Sequence, residues 1–418
     1  MRRMKKGKGQ GPDEIPVEAW LTLGREGVNF LTELFKRLLQ GEEMPEEWRK
    51  SVLVPLFKGK GDIKECGNYR GIKLMSHTMK LWERVIEARL RKEVQIAEQQ
   101  FGFMPGRSTI DAIFGLRMLM EKWREGQKAL HCVFIDLEKA YDRVPREELW
   151  ECLRLAGTSE CYVRVIQDMY DRARTVVRSA AGLTEEFEVG VGLHQGSALS
   201  PFLFAIIMDN LTEDIRTEAP GDMLFADDIV LCREDKRVLE EALENWRAAL
   251  EKRGLKVSRS KTEYLKMGSD EDGEELKLQG QTVKRVENFK YLGSVVSADG
   301  SCEEEVRKRI QSGWTCWRKI SGVLCDRKLS AKVKGKMYKS VVRPAMMYGM
   351  ETVAVTGRQV KKMEVAELKM VRWSLGVTRK DRIRNRYIRG TVKIAKLGDK
   401  LRSGRLHWYG HVKRREEA

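Results

Sequence analysis

Aspartates at the ends of short apolar runs constrain this chain more than any other feature. The run Leu130–Ile135 (LHCVFI) leads into Asp136, and two further runs, 223–225 and 229–232, enclose Ala226-Asp227-Asp228. Runs this short and apolar predict a buried strand and a hairpin. A carboxylate beside such strands loses hydration and is costly unless it is paired or binds a cation. Adjacent aspartates cannot pair with each other, whereas divalent cations would relieve their repulsion. Two metals shared by carboxylates form a clamp for in-line phosphoryl displacement. An all-oxygen donor set with open positions suits Mg²⁺. Taken alone, an Asp-Asp turn is ordinarily solvated and Asp136 could simply cap its strand, so the surrounding motifs have to decide.

The charge pattern points to a polyanion partner. From Glu303 to Ala418 there are 31 Lys and Arg against 11 Asp and Glu, a net of +20, while residues 1–302 carry −3. So one-sided a distribution is the footprint of DNA or RNA, with a merely solvated basic helical surface as the plain alternative. No apolar run reaches the length of a membrane span, and the basic start MRRMKKGKGQ lacks the apolar stretch of a secretory signal. A nuclear or cytoplasmic protein is expected. The eight cysteines form no C-x-x-C pair and several lie in apolar runs, which predicts reduced, buried thiols.

Residues 1–12 read as a linker, followed by a helical pattern over 15–38. A strand is expected at 52–57, then helices at 74–97, 110–125, 146–156, 160–171, 198–215 and 236–253, the last ending at Gly254. Thr175 to Ser179 and Phe187 to Val191 flank Gly182 as a hairpin would, and strand-like pieces follow at 262–267, 276–279 and 289–296. Beyond Asp299-Gly300 the pattern turns helical and basic. The expected class is α+β followed by an all-α region. There is no strict βαβ alternation and no Walker-type phosphate loop.

The stretches FIDLEKAYDRVP, GLHQGSALSPFLF, FADDIVLC, GLKVSRSKTE and FKYLGS, in that order, resemble the palm motifs of non-LTR (LINE-type) retrotransposon reverse transcriptases. NYRGIKLM and QQFGFMPGRSTIDAI are similar to their finger motifs, and YGMETV, RWSLGVTRKDRIRN and RLHWYGHVKR to the region after the palm in RTE-like elements. The resemblance implies a right-hand polymerase of fingers, palm and thumb with an antiparallel palm sheet. It implies an RNA-directed DNA polymerase that uses two Mg²⁺ ions, an RNA template, a DNA primer and deoxynucleoside triphosphates. Asp136 and Asp227 would be metal ligands with Asp228 beside them, and the Leu137 carbonyl would complete a metal shell. Tyr141 would lie under the incoming sugar, and Gln195 and Gly196 against nucleotide and template. Arg70 would hold the triphosphate, Lys261 would approach the pyrophosphate, and Tyr291, Leu292 and Gly293 would grip the primer end.

The expected division is an N-terminal linker and helix at 1–44, fingers and palm at 45–302, a helical thumb at 303–375 and a basic segment at 376–418. The opening MRRMKKGKGQGPDEIP resembles the segment just ahead of the polymerase, so an N-terminal endonuclease is expected to be missing. Arg307, Lys308, Arg318, Lys319, Lys332, Lys334 and Lys336 are candidate duplex contacts. Trp314, Trp317, Trp373 and Trp408 read as core anchors, and a metal at His407 and His411 is not expected. Two rival readings are a nucleic-acid-binding protein with this fold but no activity and an RNA-dependent RNA polymerase. The intact aspartates oppose the first, and Tyr141 with the LINE-like flanks opposes the second.

Overall fold

The computed structural model describes residues 4, 6–59, 61–268 and 275–416. Met1 to Arg3 and Lys5, part of the expected linker, lie outside the described residues. At the centre is a five-stranded sheet in the order Lys284–Arg285, Glu263–Met267, Leu130–Ile135, Asp228–Arg233, Asp222–Phe225. Neighbouring strands are antiparallel except for the first pair, which is parallel.

The middle strand shows why its sequence is continuously apolar. Side chains alternate between the faces of a sheet. Val133 and Ile135 join one core with Ile229 and Leu231. Leu130, Cys132 and Phe134 join a second core with Val230 and Cys232. The first core is closed by helices Arg146–Leu155, Glu160–Tyr170, Ser200–Thr212 and Lys236–Lys252. The helix Ser200–Thr212 is buried on nearly every side, as FLFAIIM requires, and carries Pro201 in its first turn. On the other face, helix Thr109–Glu125 packs with the hairpin formed by Asn288–Tyr291 and Ser294–Ser297. Phe134 stacks on Phe289 there at 3.6 Å between ring centroids.

A second sheet lies to one side. Its strand Lys50–Phe57 runs antiparallel to Tyr69–Leu74 and parallel to Arg174–Ser179. Arg174–Ser179 in turn pairs antiparallel with Gly182–Leu183 and Phe187–Glu188, as the residues around Gly182 led us to expect. From Glu303 onward the described chain has no strand and builds its own core around Trp317, Tyr338, Val342, Met346 and Met370. Among the described residues no helix is long and apolar enough to cross a membrane.

Some expectations change. The run 289–296 is a hairpin rather than one strand, because Leu292 and Gly293 both take positive φ (46° and 87°) and reverse the chain. The helical pattern at 15–38 is two helices, Val17–Thr22 and Gly24–Leu39, broken where Gly24 has φ of +56°. Cys66 and Cys325 are exposed rather than buried, and all eight thiols are free. Trp314, Trp317 and Trp373 cluster with centroids 5.3–5.7 Å apart, but Trp373 keeps 58% of its surface and forms the cluster's outer edge. Trp408 packs on Phe114 instead. Lys334 is not a surface contact: it is buried, and its Nζ donates to the Ser374 carbonyl at 2.7 Å.

Candidate active site

The register of the palm strands brings the three aspartates together. Ile135 pairs with Ile229, so Asp136 and Asp228 leave the same end of two adjacent strands. Phe225 pairs with Asp228, which leaves Ala226 and Asp227 as the two residues of the turn, with Ala226 at φ +58°. All three carboxylates stand at the open end of the sheet. Asp227 and Asp228 are reachable by solvent, yet the surrounding chain removes enough water to raise both. Asp228 is pushed up to about 6, first by loss of hydration and then by the charges of Asp227 and Asp136. Asp227 is raised by loss of hydration and by Asp136, against the pull of Arg70 and Lys261.

Those two cations therefore act on the acidic cluster, and they come from different elements. Arg70 comes from the strand Tyr69–Leu74 of the side sheet. Lys261 precedes Glu263–Met267, and its Nζ lies 2.9 Å from Asp136 Oδ2. Both side chains of that pair are substantially exposed (65% and 40%). Such a pair contributes about 1 kcal/mol or less, so a stronger cation can displace the lysine. Leu137 is buried and bridges Val257 across the sheet edge, which fixes the backbone just after Asp136.

Tyr141 stacks on Phe204 at 4.4 Å and 17°, and its buried hydroxyl has no hydrogen-bond partner among the described residues. Burial and the Asp227 charge push its phenol up, so the ring stays neutral beside the acids. The segment after Gly192 runs alongside it: Leu193 N donates to Tyr141 O at 2.7 Å, and Gln195 Nε2 to Asp142 Oδ1 at 2.7 Å. Gly196 has φ +109°, and a Cβ there would come within 2.7 Å of Lys73 O. That close approach seats the Gln195-Gly196 loop against the strand that carries Arg70. Tyr291 is buried close to Asp228, whose charge helps to raise its phenol after burial. The turn beyond it is held from the helical region. Tyr348 Oη donates to Leu292 O at 2.8 Å, and Arg309 donates to Gly293 O at 2.6 Å.

Residues 58–296, more than half of the chain, match the family described as reverse transcriptase (RNA-dependent DNA polymerase). The chain belongs to this family. Its similarity is to non-LTR elements, as the motifs implied. It is 30% identical to the transposon TX1 uncharacterized 149 kDa protein of Xenopus laevis, over 64% of this chain and 22% of that one. It is 23% identical to the RNA-directed DNA polymerase from mobile element jockey of Drosophila melanogaster, over 95% of this chain and 45% of that one. The type-1 retrotransposable element R2 Pol polyprotein of Popillia japonica is 24% identical, over 84% and 50%. The chain thus spans at most half the length of these relatives. An apo telomerase structure from Candida tropicalis aligns with a TM-score of 0.45 at 12% identity, over 84% of this chain and 67% of that one.

The magnesium ions that the family implies would need oxygen donors held close together. As they stand, no three His, Cys, Asp or Glu side chains among the described residues are close enough together to hold an ion. The acids repel one another, and Asp136 turns to Lys261. The three oxygen donors are nonetheless neighbours, and a bound cation would lower the raised proton affinity of Asp227 and Asp228, which fits a hard divalent ion. His407 bonds back to Ser403 O, and His411 Nε2 lies 3.1 Å from Asp111 Oδ1.

Sequence reasoning missed the residues that brace the site. Glu83 is fully buried, accepting from Ser197 Oγ and from Ala198 N at 2.8 Å, so it clamps the loop that follows Gln195-Gly196. A signal existed: Glu83 sits on the stripe Met79, Glu83, Ile86, Leu90, all buried, where an apolar side chain belongs. Gln100 Oε1 accepts from Gly102 N at 2.9 Å and Ala226 N at 3.1 Å, bracing the aspartate turn. Nothing in QQFGF announces that contact.

Proposed function

We propose that this chain is an RNA-directed DNA polymerase that adds deoxynucleotides to a primer 3′-hydroxyl on an RNA template, as part of a LINE-type retroelement. The convergence of Asp136, Asp227 and Asp228 at one end of the palm sheet, faced by Arg70 and Lys261, carries this reading. Magnesium ions held by Asp136, Asp227 and Asp228, with the Leu137 carbonyl beside them, would supply Lewis-acid stabilisation of phosphoryl charge. Arg70 would hold the triphosphate through its forked N–H donors. Lys261 would leave Asp136 and follow the departing pyrophosphate. Tyr141, stiffened by Phe204, would fill the space of a ribose 2′-hydroxyl. Gln195 and Gly196, seated by Asp142 and the Lys73 carbonyl, would flank the nucleotide and the template. Tyr291, Leu292 and Gly293 would position the primer end. In this arrangement catalysis is mostly positioning and electrostatics. Residues 45–302 would form fingers and palm, 303–375 the thumb, and 376–418 a basic extension.

The test is primer extension on poly(rA)–oligo(dT) with Mg²⁺. Activity should be present in the parent chain and fall to background in Asp136→Ala and Asp227→Ala, with template-primer binding retained. Near-normal extension by either variant would refute the assignment.

A further inference from the structure

Several side chains in the expected thumb are already committed to the protein: Lys334 is buried, and Arg307 lies 3.0 Å from Glu304. A denser group of free cations lies further along, between Gly376 and Lys393. The helix Gly357–Leu375 ends at Gly376 with φ +68°. The chain then folds around Arg372, whose guanidinium donates to Thr378 O at 3.0 Å, Ile383 O at 2.6 Å and Asn385 Oδ1 at 3.1 Å. The following helix Asn385–Val392 is anchored by buried Ile388 and Val392, and Gly335 packs so tightly on it that a Cβ would lie 1.8 Å from Val392 O. Arg389 turns inward toward Glu367. The segment is thus fixed from beneath.

Its outer face is different. Arg379, Lys380, Arg382, Arg384 and Arg386 are all exposed, and none of their side chains makes an ion pair or hydrogen bond among the described residues. The one acid in the segment, Asp381, is occupied by Thr378 N at 2.6 Å and Thr378 Oγ1 at 2.9 Å. Beside these cations Tyr387 keeps 69% of its surface in water. Together with Arg384, Arg386, Gly390 and Thr391 it lines a shallow cleft of about 510 Å³.

We propose that this face is a second nucleic-acid site, one that takes an unpaired strand. An open aromatic ring flanked by arginines matches bases that have a free face and phosphates that pass alongside. Bases inside a duplex are already stacked on one another and offer no such face. The site is distinct from the palm cleft, and its binding can be read whether or not the chain polymerises.

The experiment uses the full chain and the variant Arg384→Ala/Arg386→Ala/Tyr387→Ala. Fluorescence anisotropy would be read on a short unstructured RNA, a DNA of the same sequence and a short duplex, over a range of KCl. Affinity for the single strand should drop about tenfold or more. The slope of log K against log salt should become shallower by about 1.4, at roughly 0.7 per phosphate for two arginines. Tyr387→Ala alone should cost about fivefold or more with little change in slope, and Tyr387→Phe should restore binding. Melting temperature, duplex affinity and extension of a pre-annealed short primer should be unchanged. Equal losses on RNA and DNA support a site blind to the sugar; a loss on RNA alone supports one that reads the 2′-hydroxyl. Unchanged single-strand affinity, or an equal loss on duplex, overturns the proposal, and so does failure of Tyr387→Phe to rescue.

Discussion

At the scale of single residues, Glu83 shows how a buried acid can both hold a site and tax the fold. Burial pushes its carboxyl up to about 7, despite hydrogen bonds from Ser197 and Ala198 that favour the charged form. The sign follows directly. Between its ordinary value and about 7 the folded state keeps a proton that the unfolded state has released, so Glu83 lowers stability as pH rises through that window and adds no further slope above it. The full effect is about 3 kcal/mol. Glu83→Gln should remove that part of the pH dependence, seen as a flatter stability profile from denaturant unfolding between acid and neutral pH. A variant that keeps the parent's slope would exclude Glu83 as its source. Glu83→Ala should also weaken nucleotide use, because Ser197 and Ala198 lose the acceptor that seats their loop. The aspartates, Arg70, Lys261 and Tyr141 were legible because each sits in a motif with fixed spacing. Glu83, Asp142 and Gln100 were not, because their roles depend on partners more than 50 positions away in the chain, at Ala198, Gln195 and Ala226.

At the scale of elements, what matters most is how the aspartate hairpin is held against the QQFGF segment. Phe101 N donates to Leu224 O at 2.7 Å and Leu224 N to Gln99 O at 2.9 Å, so this segment and the aspartate hairpin share a short ladder next to the turn. A Cβ at Gly102 would lie 2.4 Å from Ala226 N and 3.0 Å from Phe225 C. Both are backbone atoms, so the turn itself has to shift. We expect Gly102→Ala to cut extension about a hundredfold, the scale of a misplacement of about 1 Å. Its stability cost should be that of local overpacking, about 1–3 kcal/mol. Steady-state extension together with a thermal melt would check this, and parent-like turnover would show that the turn is not braced here. Elements were readable from sequence where burial was simple. The strand Leu130–Ile135 is covered on both faces, and the helix Ser200–Thr212 is covered all round. The run 289–296 was misread because its apolar pattern is the same for one strand as for a hairpin, and only the backbone at Leu292 and Gly293 reverses it.

For the whole molecule, the question is which of the many cations in the C-terminal third face a nucleic acid. The sequence gives the excess but not its direction, and the structure divides it. Helix Glu303–Lys319 is tied to the hairpin beyond Tyr291 through Glu305, which accepts from Val295 N at 2.5 Å, and through Arg309. On its outer side Lys308, Arg318 and Lys319 are exposed and unpaired among the described residues. A helix anchored beside the proposed primer grip, with a basic outer stripe, is placed to follow the duplex as it leaves the palm. Each phosphate it neutralises should contribute about 0.9 to the slope of log K against log salt. Lys308→Gln/Arg318→Gln/Lys319→Gln should therefore weaken duplex binding on every sequence alike and lower that slope by about two to three. Lys334→Met is the control. Its ammonium is spent on the Ser374 carbonyl inside the core, so it should lower the melting temperature and leave the slope unchanged. If the triple variant kept the parent's slope, the duplex would have to be held elsewhere. If Lys334→Met changed the slope instead, the buried position of Lys334 would not describe the bound state.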